Sequence, residues 1–168
     1  MGASRGSKVF RLAGVFALAN LGNTEQAGLF GRKAGKAGTT ILLVDDFAAV
    51  RRGLRNMLES RHDWTVIGEA ADGLQGLEQA QLFQPTVAVV DISMPKMNGL
   101  ALTREIRRLL PDIEVLIVTE HDSRQMLREA QQAGAHGYIV KSQAGSHLLP
   151  AIQALSEHRA FFRQDPEM

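Results

Sequence analysis

Five short apolar runs recur along this chain, separated by stretches with helical spacing, and that alternation constrains the fold more than any other feature. The runs are Ile41–Val44, Trp64–Ala70, Val87–Val90 with Asp91 at its end, Val115–Val118 and Tyr138–Val140. Short β-branched runs bounded by turn residues read as strands buried on both faces. Between them, Val50, Leu54, Met57 and Leu58 mark a helix from Phe47 to about Arg61. Leu74, Leu77, Ala80 and Leu82 mark a second, stopped before Pro85 because the residue before a proline disfavours helix. Gly99 to Leu110 reads as a third, with Leu102, Ile106 and Leu109 inward and Pro111 ending it. Met126, Leu127, Ala130 and Ala133 give a fourth, closed by Gly134. Ser146 is expected to cap a fifth, with Leu148, Leu149, Ile152 and Leu155 inward and Pro150 in the first turn, where a missing donor costs little. Strands alternating with helices imply an α/β fold: a (βα)5 sandwich with a five-stranded parallel sheet and helices on both faces.

The chain divides by charge. Residues 1–39 carry Arg5, Lys8, Arg11, Arg32, Lys33 and Lys36 against Glu25 alone, whereas the rest holds 13 basic and 17 acidic residues. The first segment is expected to be a disordered basic leader, or sequence upstream of the true start. Arg5, Lys8 and Arg11 before Leu12–Ala19 loosely resemble a secretory signal, but the apolar core is short and interrupted by Gly14. The Gly28, Gly31, Gly35 and Gly38 series fails as a phosphate loop, since no strand precedes it. The globular part spans residues 40–157, and 158–168 reads as a tail or truncated linker. There are no cysteines, which excludes disulfides and thiol chemistry. No apolar run reaches the ~20 residues of a membrane span, and the mildly acidic globular part has no nucleic-acid footprint.

Topology brings the candidate chemistry together. In a parallel sheet all carboxyl ends lie on one edge, where open α/β sheets bind their ligands. Four strands here end in polar groups: Asp45-Asp46, Asp91, Thr119 and Lys141. Singly, each has a structural explanation: Asp91 ends a strand, Asp46 caps a helix, Thr119 caps a loop, Lys141 is a solvated lysine. Jointly those explanations need four coincidences on one rim. Clustered carboxylates raise one another's pKa, and Mg²⁺, which takes a few carboxylates with water and phosphate oxygens, resolves the repulsion. The set suits phosphoryl transfer, in which the protein positions groups and neutralises charge. Asp91 is then the carboxylate nucleophile. Asp46 and Asp91 hold Mg²⁺, with Asp45 behind or through water, Lys141 opposite, and the Thr119 hydroxyl within reach of a phosphoryl oxygen.

Leu43-Val44-Asp45-Asp46, Asp91-Ile92-Ser93-Met94-Pro95-Lys96-Met97-Asn98-Gly99, Val118-Thr119 and Gly137-Tyr138-Ile139-Val140-Lys141 together resemble the receiver domain of bacterial two-component response regulators. The resemblance is collinear over about residues 40–157 and strongest to receivers of the LuxR-type helix-turn-helix subfamily. It implies a flavodoxin-like sheet of order 2-1-3-4-5, and phosphorylation of Asp91 to 4-aspartylphosphate by a sensor histidine kinase, a phosphotransfer protein or a small phosphodonor. It also implies Mg²⁺ on Asp45, Asp46, Asp91 and the Ser93 backbone carbonyl, and a two-state switch through Thr119 and Tyr138. Ser93 and His121 would tune phosphate lifetime. Glu120 departs from the family's usual small residue; it either slows small donors or points into solvent. Such a protein is cytoplasmic and not an enzyme beyond its own phosphorylation and dephosphorylation, with homodimerisation on activation left open.

The tail Ser156 to Pro166 resembles the linker that leads, in that subfamily, to a DNA-binding domain. Too few residues follow for a helix-turn-helix, so direct DNA binding is not expected. Phe161 and Phe162 are expected either exposed or folded on the last helix, and His136 on the surface near a turn. Arg51, Arg52 and Arg55 read as a solvated face or as a docking rim. Two enzyme or cofactor readings compete. A haloacid-dehalogenase-like phosphatase needs a second acid two residues after its nucleophile, where this chain has Ser93. A flavin protein needs a hydroxyl-rich phosphate loop where this chain has Asp45-Asp46-Phe47.

Overall fold

The computed structural model describes residues 38–162; the expectations for the basic leader and for residues 163–168 lie outside them. Strands β1 (Thr39–Val44), β2 (Trp64–Ala70), β3 (Val87–Val90), β4 (Glu114–Thr119), β5 (Gly137–Val140) and β6 (Phe161–Phe162) form one sheet in the order β2-β1-β3-β4-β5-β6. Every pairing is parallel. Helices α1 (Ala48–Leu58), α2 (Gly73–Phe83), α3 (Gly99–Leu109), α4 (Arg124–Ala133) and α5 (Ala144–Ser156) connect successive strands, with a 3-10 turn at Lys141–Gln143 ahead of α5. This is the flavodoxin-like arrangement.

Alternation along each strand sends neighbouring side chains to opposite faces, which produces two cores. Leu42, Val44, Ala88, Val90, Val115 and Ile117 pack with Ala80, Leu102, Ile106, Ala130 and Ala133 of α2, α3 and α4. Ile41, Leu43, Val87, Val89, Leu116 and Val118 pack with Leu54 and Leu58 of α1 and Leu148, Ile152 and Leu155 of α5. Burial on both faces is why the central strands read as unbroken apolar runs rather than alternating ones. No helix among the described residues is long and apolar enough to cross a membrane.

Several local expectations are corrected. The sheet has a sixth strand: Gly137 pairs with Phe161 and Tyr138 with Phe162. The two phenylalanines pack against opposite cores: Phe161 lies beside His147 of α5, as one of the two expectations had it, and Phe162 packs on the other face of the sheet. Leu74 and Leu82 are exposed, because Gly73, Gly76 and Ala80 form the buried face of α2. A Cβ on Gly76 would stand 2.8 Å from a Val44 methyl, so the missing side chain lets α2 sit down on β1. Leu109 is exposed as well; the backbone leaves helical geometry at Leu110, which packs on the core in its place. Ser146 does not cap α5. The helix starts at Ala144 with Gln143 as N-cap, and Ser146 Oγ donates to the Gln143 carbonyl. Pro150 therefore lies beyond the first turn, and the Ser146 carbonyl has no proline N–H to accept from. His136 is half-buried, its Nδ1 accepting from the Val115 N–H at 3.0 Å beside Glu114.

Candidate functional site

Parallel topology delivers Val44, Val90, Thr119 and Val140 to one edge, and the residues that follow them form the site. Asp91 stays in register after β3 because its N–H donates to the Val44 carbonyl at 2.8 Å. Asp45 is likewise held by its N–H on the Ala70 carbonyl at 3.1 Å. Its carboxylate is tied at both oxygens: Oδ1 accepts from the Phe47 N–H at 2.8 Å, and Oδ2 lies 2.7 Å from Lys141 Nζ. Lys141 Nζ also lies 3.5 Å from Asp91 Oδ1. Asp45 and Asp91 are buried, whereas Asp46 is exposed. One carboxylate oxygen from each of the three lies within 4.8 Å of the others.

Burial pushes the Asp91 carboxyl above its ordinary pKa; the Lys141 charge pulls it back and the Asp45 charge adds to the push. Burial works against the Lys141 ammonium too, but its hydrogen bond to Asp45 and the charge of Asp91 outweigh this and raise its pKa. The lysine is therefore a fixed positive charge at neutral pH. The cluster offers only carboxylate oxygens, converging at short range and open to solvent through Asp46. That donor set fits a hard divalent cation such as Mg²⁺, which keeps several waters.

The loops around this pocket are held by contacts that sequence reading missed. Asp72 caps α2 by accepting from the Gln75 N–H at 2.9 Å, and it pairs with Lys96 Nζ at 2.6 Å. That pair ties the loop after β3 to the start of α2. Its one sequence signal was an aspartate just ahead of a helix. Asn98 caps α3 through the Ala101 N–H at 2.9 Å. Gly99, next to it, leaves no room for a side chain: a Cβ there would stand 2.0 Å from the Asp91 carbonyl oxygen.

A second group of expected residues meets at His121. Its N–H donates to Thr119 Oγ1 at 3.3 Å, its Nε2 lies 3.1 Å from Ser93 Oγ, and its carbonyl accepts from the Tyr138 hydroxyl. Thr119 is fully buried and the Tyr138 ring packs in the core. Burial, reinforced by the charge of Asp122, pushes the Tyr138 phenol up to about 12. Tyr138 is the chain's one tyrosine, so its titration is directly readable. Absorbance at 295 nm is expected to give a tyrosinate midpoint near 12 in the folded protein, against about 10 for an exposed phenol. The folded state then holds the proton more tightly than the unfolded chain. The associated stability is intact below the unfolded pKa and lost as pH rises through the folded one.

The arginines of α1 form neither a free solvated face nor a free rim. Arg51 and Arg55 both bind Glu69 of β2, at 3.0 and 2.6 Å, and Arg52 alone is exposed. An open groove of about 360 Å³ runs between α1 and the start of α5 and reaches Lys141; Val50, Met57 and Ala144 line it. Glu120 borders the groove with its side chain exposed.

A doubly wound parallel sheet with clustered carboxylates and a lysine on its carboxyl edge is the arrangement of a two-component signalling domain. The family model of the response regulator receiver domain matches residues 41–153, and the chain belongs to that family. The transcriptional activator DevR/DosR of Mycobacterium tuberculosis is 35% identical over 120 residues, 71% of this chain and 55% of that protein. The response regulator UvrY of Escherichia coli is 33% identical over 125 residues, 74% of this chain and 57% of that protein. The chain thus spans about half the length of the curated relatives it matches. Among solved structures, a LuxR-family response regulator from Aurantimonas superposes with a TM-score of 0.71 at 34% identity, covering 74% of this chain and 89% of that one. The receiver domain of the NarL regulator of M. tuberculosis gives 0.70 at 28% identity, covering 73% and 98%. The protein is a response regulator receiver domain of two-component signalling, a signalling module rather than a conventional enzyme, with LuxR-family regulators among its relatives.

Proposed function

We propose that Asp91 is the phosphoacceptor of this domain. The observation that carries the reading is the convergence of Asp45, Asp46 and Asp91 with Lys141, whose Nζ bridges the two buried carboxylates at 2.7 and 3.5 Å. The donor is a phosphohistidine on a sensor kinase or phosphotransfer protein, or a small acyl phosphate. A carboxylate oxygen of Asp91 forms a bond to phosphorus in line with the departing group. The P–N bond of the phosphohistidine, protonated on its other ring nitrogen, breaks, its electron pair stays on the imidazole, and the ring leaves neutral; from an acyl phosphate the P–O bond breaks and a carboxylate leaves. Lys141 offsets charge on the transferring oxygens, and the Thr119 hydroxyl donates to one of them. Asp45, Asp46, Asp91 and the Ser93 carbonyl would hold Mg²⁺, which when bound neutralises phosphoryl charge that the clustered carboxylates would otherwise repel.

Thr119 and Tyr138 are the switch. Movement of the Thr119 hydroxyl toward the phosphoryl alters the His121 segment, to which both Thr119 and the Tyr138 hydroxyl are bonded. Ser93 and His121, joined to each other at the mouth of the pocket, govern how readily water attacks phosphorus to release inorganic phosphate and restore the carboxylate. The apolar groove between α1 and α5 gives the donor protein a seat beside Lys141. The expected setting is cytoplasmic.

Incubation with acetyl phosphate and Mg²⁺ tests the site. The wild-type chain is expected to gain one phosphoryl group, sensitive to hydroxylamine and dependent on Mg²⁺, and Asp91→Asn to gain none. Asp91→Asn should also melt no lower than wild type without Mg²⁺, because it removes a charge that burial disfavours. A phosphoryl adduct of wild-type yield on Asp91→Asn would refute the assignment.

A further inference from the structure

The three pocket carboxylates are not held in the same way. Asp45 is tied at both oxygens, and Asp91 lies buried against Lys141. Asp46 is exposed, so the direction of its side chain is set by the backbone that carries it. The peptide joining Asp45 to Asp46 is gripped at its carbonyl by Arg51 Nη1, at 2.7 Å. The Phe47 N–H on Asp45 Oδ1 also spans Asp46, but helix α1 adds no side-chain cap. Its N-cap is Phe47, which makes no side-chain cap bond.

Arg51 is itself fixed. Its Nε lies 3.0 Å from Glu69 Oε2, while Arg55 Nε holds the other Glu69 oxygen at 2.6 Å. Glu69 sits in β2 opposite Leu43 of β1, so the clamp is anchored on the sheet. Burial alone would push the Glu69 carboxyl up, but hydrogen bonds from Arg55 and Arg51 more than reverse this and keep it ionised. With Glu69 and Glu59 together balancing the charges of Arg51 and Arg55, what Arg51 delivers to the loop is geometry. A planar guanidinium can serve a carboxylate and a carbonyl at once, which one ammonium cannot do at both positions.

Resting on the reading of the three aspartates as a divalent-cation site, we infer that Arg51 is the positioning residue of that site, aiming Asp46 through the Asp45 carbonyl. Partners that orient metal ligands typically govern affinity as strongly as this arrangement requires.

Mn²⁺ is the probe, titrated into the full chain and followed by electron paramagnetic resonance of the free ion, with Mg²⁺ as competitor. Arg51→Met is expected to weaken Mn²⁺ binding about tenfold. Arg51→Lys should weaken it by less, and Arg52→Met, whose residue lies outside the clamp, should leave it unchanged. In acetyl phosphate reactions the Mg²⁺ concentration for half-maximal rate should rise by the same factor, with the saturating rate unchanged. A merely structural arginine would lower the melting temperature and leave the Mn²⁺ affinity where it was. Should Arg51→Met lose its cooperative melt, Arg51→Lys decides the matter. Wild-type Mn²⁺ affinity in a folded Arg51→Met, or in Arg51→Lys where that variant decides, overturns the inference while sparing the cation site. No single-site Mn²⁺ binding by the wild-type chain overturns the cation site, and the inference with it.

Discussion

Lys141→Met is expected to slow phosphorylation by acetyl phosphate by about 10²-fold or more at saturating Mg²⁺, the size of effect that follows loss of one aimed donor in a preorganised site. Two roles of Lys141 disappear together. Its Nζ is the positive charge between Asp45 and Asp91, at 2.7 and 3.5 Å. It is also the cation facing the groove through which a donor would approach. Without it two buried carboxylates face each other, and removal of one partner from a buried ion pair typically costs about 3–5 kcal/mol. Melting without Mg²⁺ should therefore fall, and added Mg²⁺ should raise it more than in the wild type. Because the folded state holds the Lys141 proton more tightly than the unfolded chain does, this contribution is complete below the ordinary lysine pKa and is lost as pH rises past it. Phosphorylation kinetics together with scanning calorimetry at two Mg²⁺ concentrations check both parts.

Gly99→Ala is expected to destabilise the domain by about 3 kcal/mol, the upper range for forced overpacking. The added methyl would stand 2.0 Å from the Asp91 carbonyl oxygen and 2.9 Å from the Ile92 Cα, both rigid backbone. One of two things must shift: the first turn of α3, which Asn98 caps, or the segment that carries Asp91. Either breaks the 2.9 Å bond from the Gly99 N–H to the Ile92 carbonyl. Phosphoryl uptake should fall along with stability. Gly53→Ala is the matched control. Its added methyl meets nothing within 4 Å on α1, so helix propensity should make it stabilising by roughly 0.5–1 kcal/mol. Chemical denaturation of the two variants beside the wild type separates backbone collision from any general effect of glycine.

The main architecture was legible because β1 to β5 are buried on both faces and announce themselves as apolar runs. The pocket was legible for a related reason. Parallel topology puts strand-end residues, far apart in sequence, on one edge, so Asp45, Asp46, Asp91 and Lys141 could be grouped from the sequence, while the strand order that makes them neighbours came with the receiver resemblance. What escaped notice lacked either period or locality. Phe161–Phe162 is two residues long, too short for any period, and becomes a strand because β5 presents an unpaired edge. Leu74, Leu82 and Leu109 matched an apolar pattern, but small residues in α2 and the helix end at Leu109 decided which positions face inward. The Asp72–Lys96 pair spans separate loops, and the grip of Arg51 on a main-chain carbonyl leaves no residue-type signature. The resemblance of the motifs to receiver domains supplied the assignment of Thr119, Tyr138, Ser93 and His121. Their common junction at His121 emerged only from the coordinates.

The central claim is that phosphorus bonds to Asp91. An acyl phosphate is reduced by sodium borohydride to the corresponding alcohol, so the residue that carried it becomes homoserine. Reaction with acetyl phosphate and Mg²⁺, borohydride reduction and peptide sequencing by mass spectrometry therefore read the acceptor directly. The prediction is homoserine at position 91 and at no other aspartate, with none formed when Mg²⁺ is chelated. Homoserine at position 45 or 46, or no homoserine in a chain that has taken up phosphoryl, would contradict it.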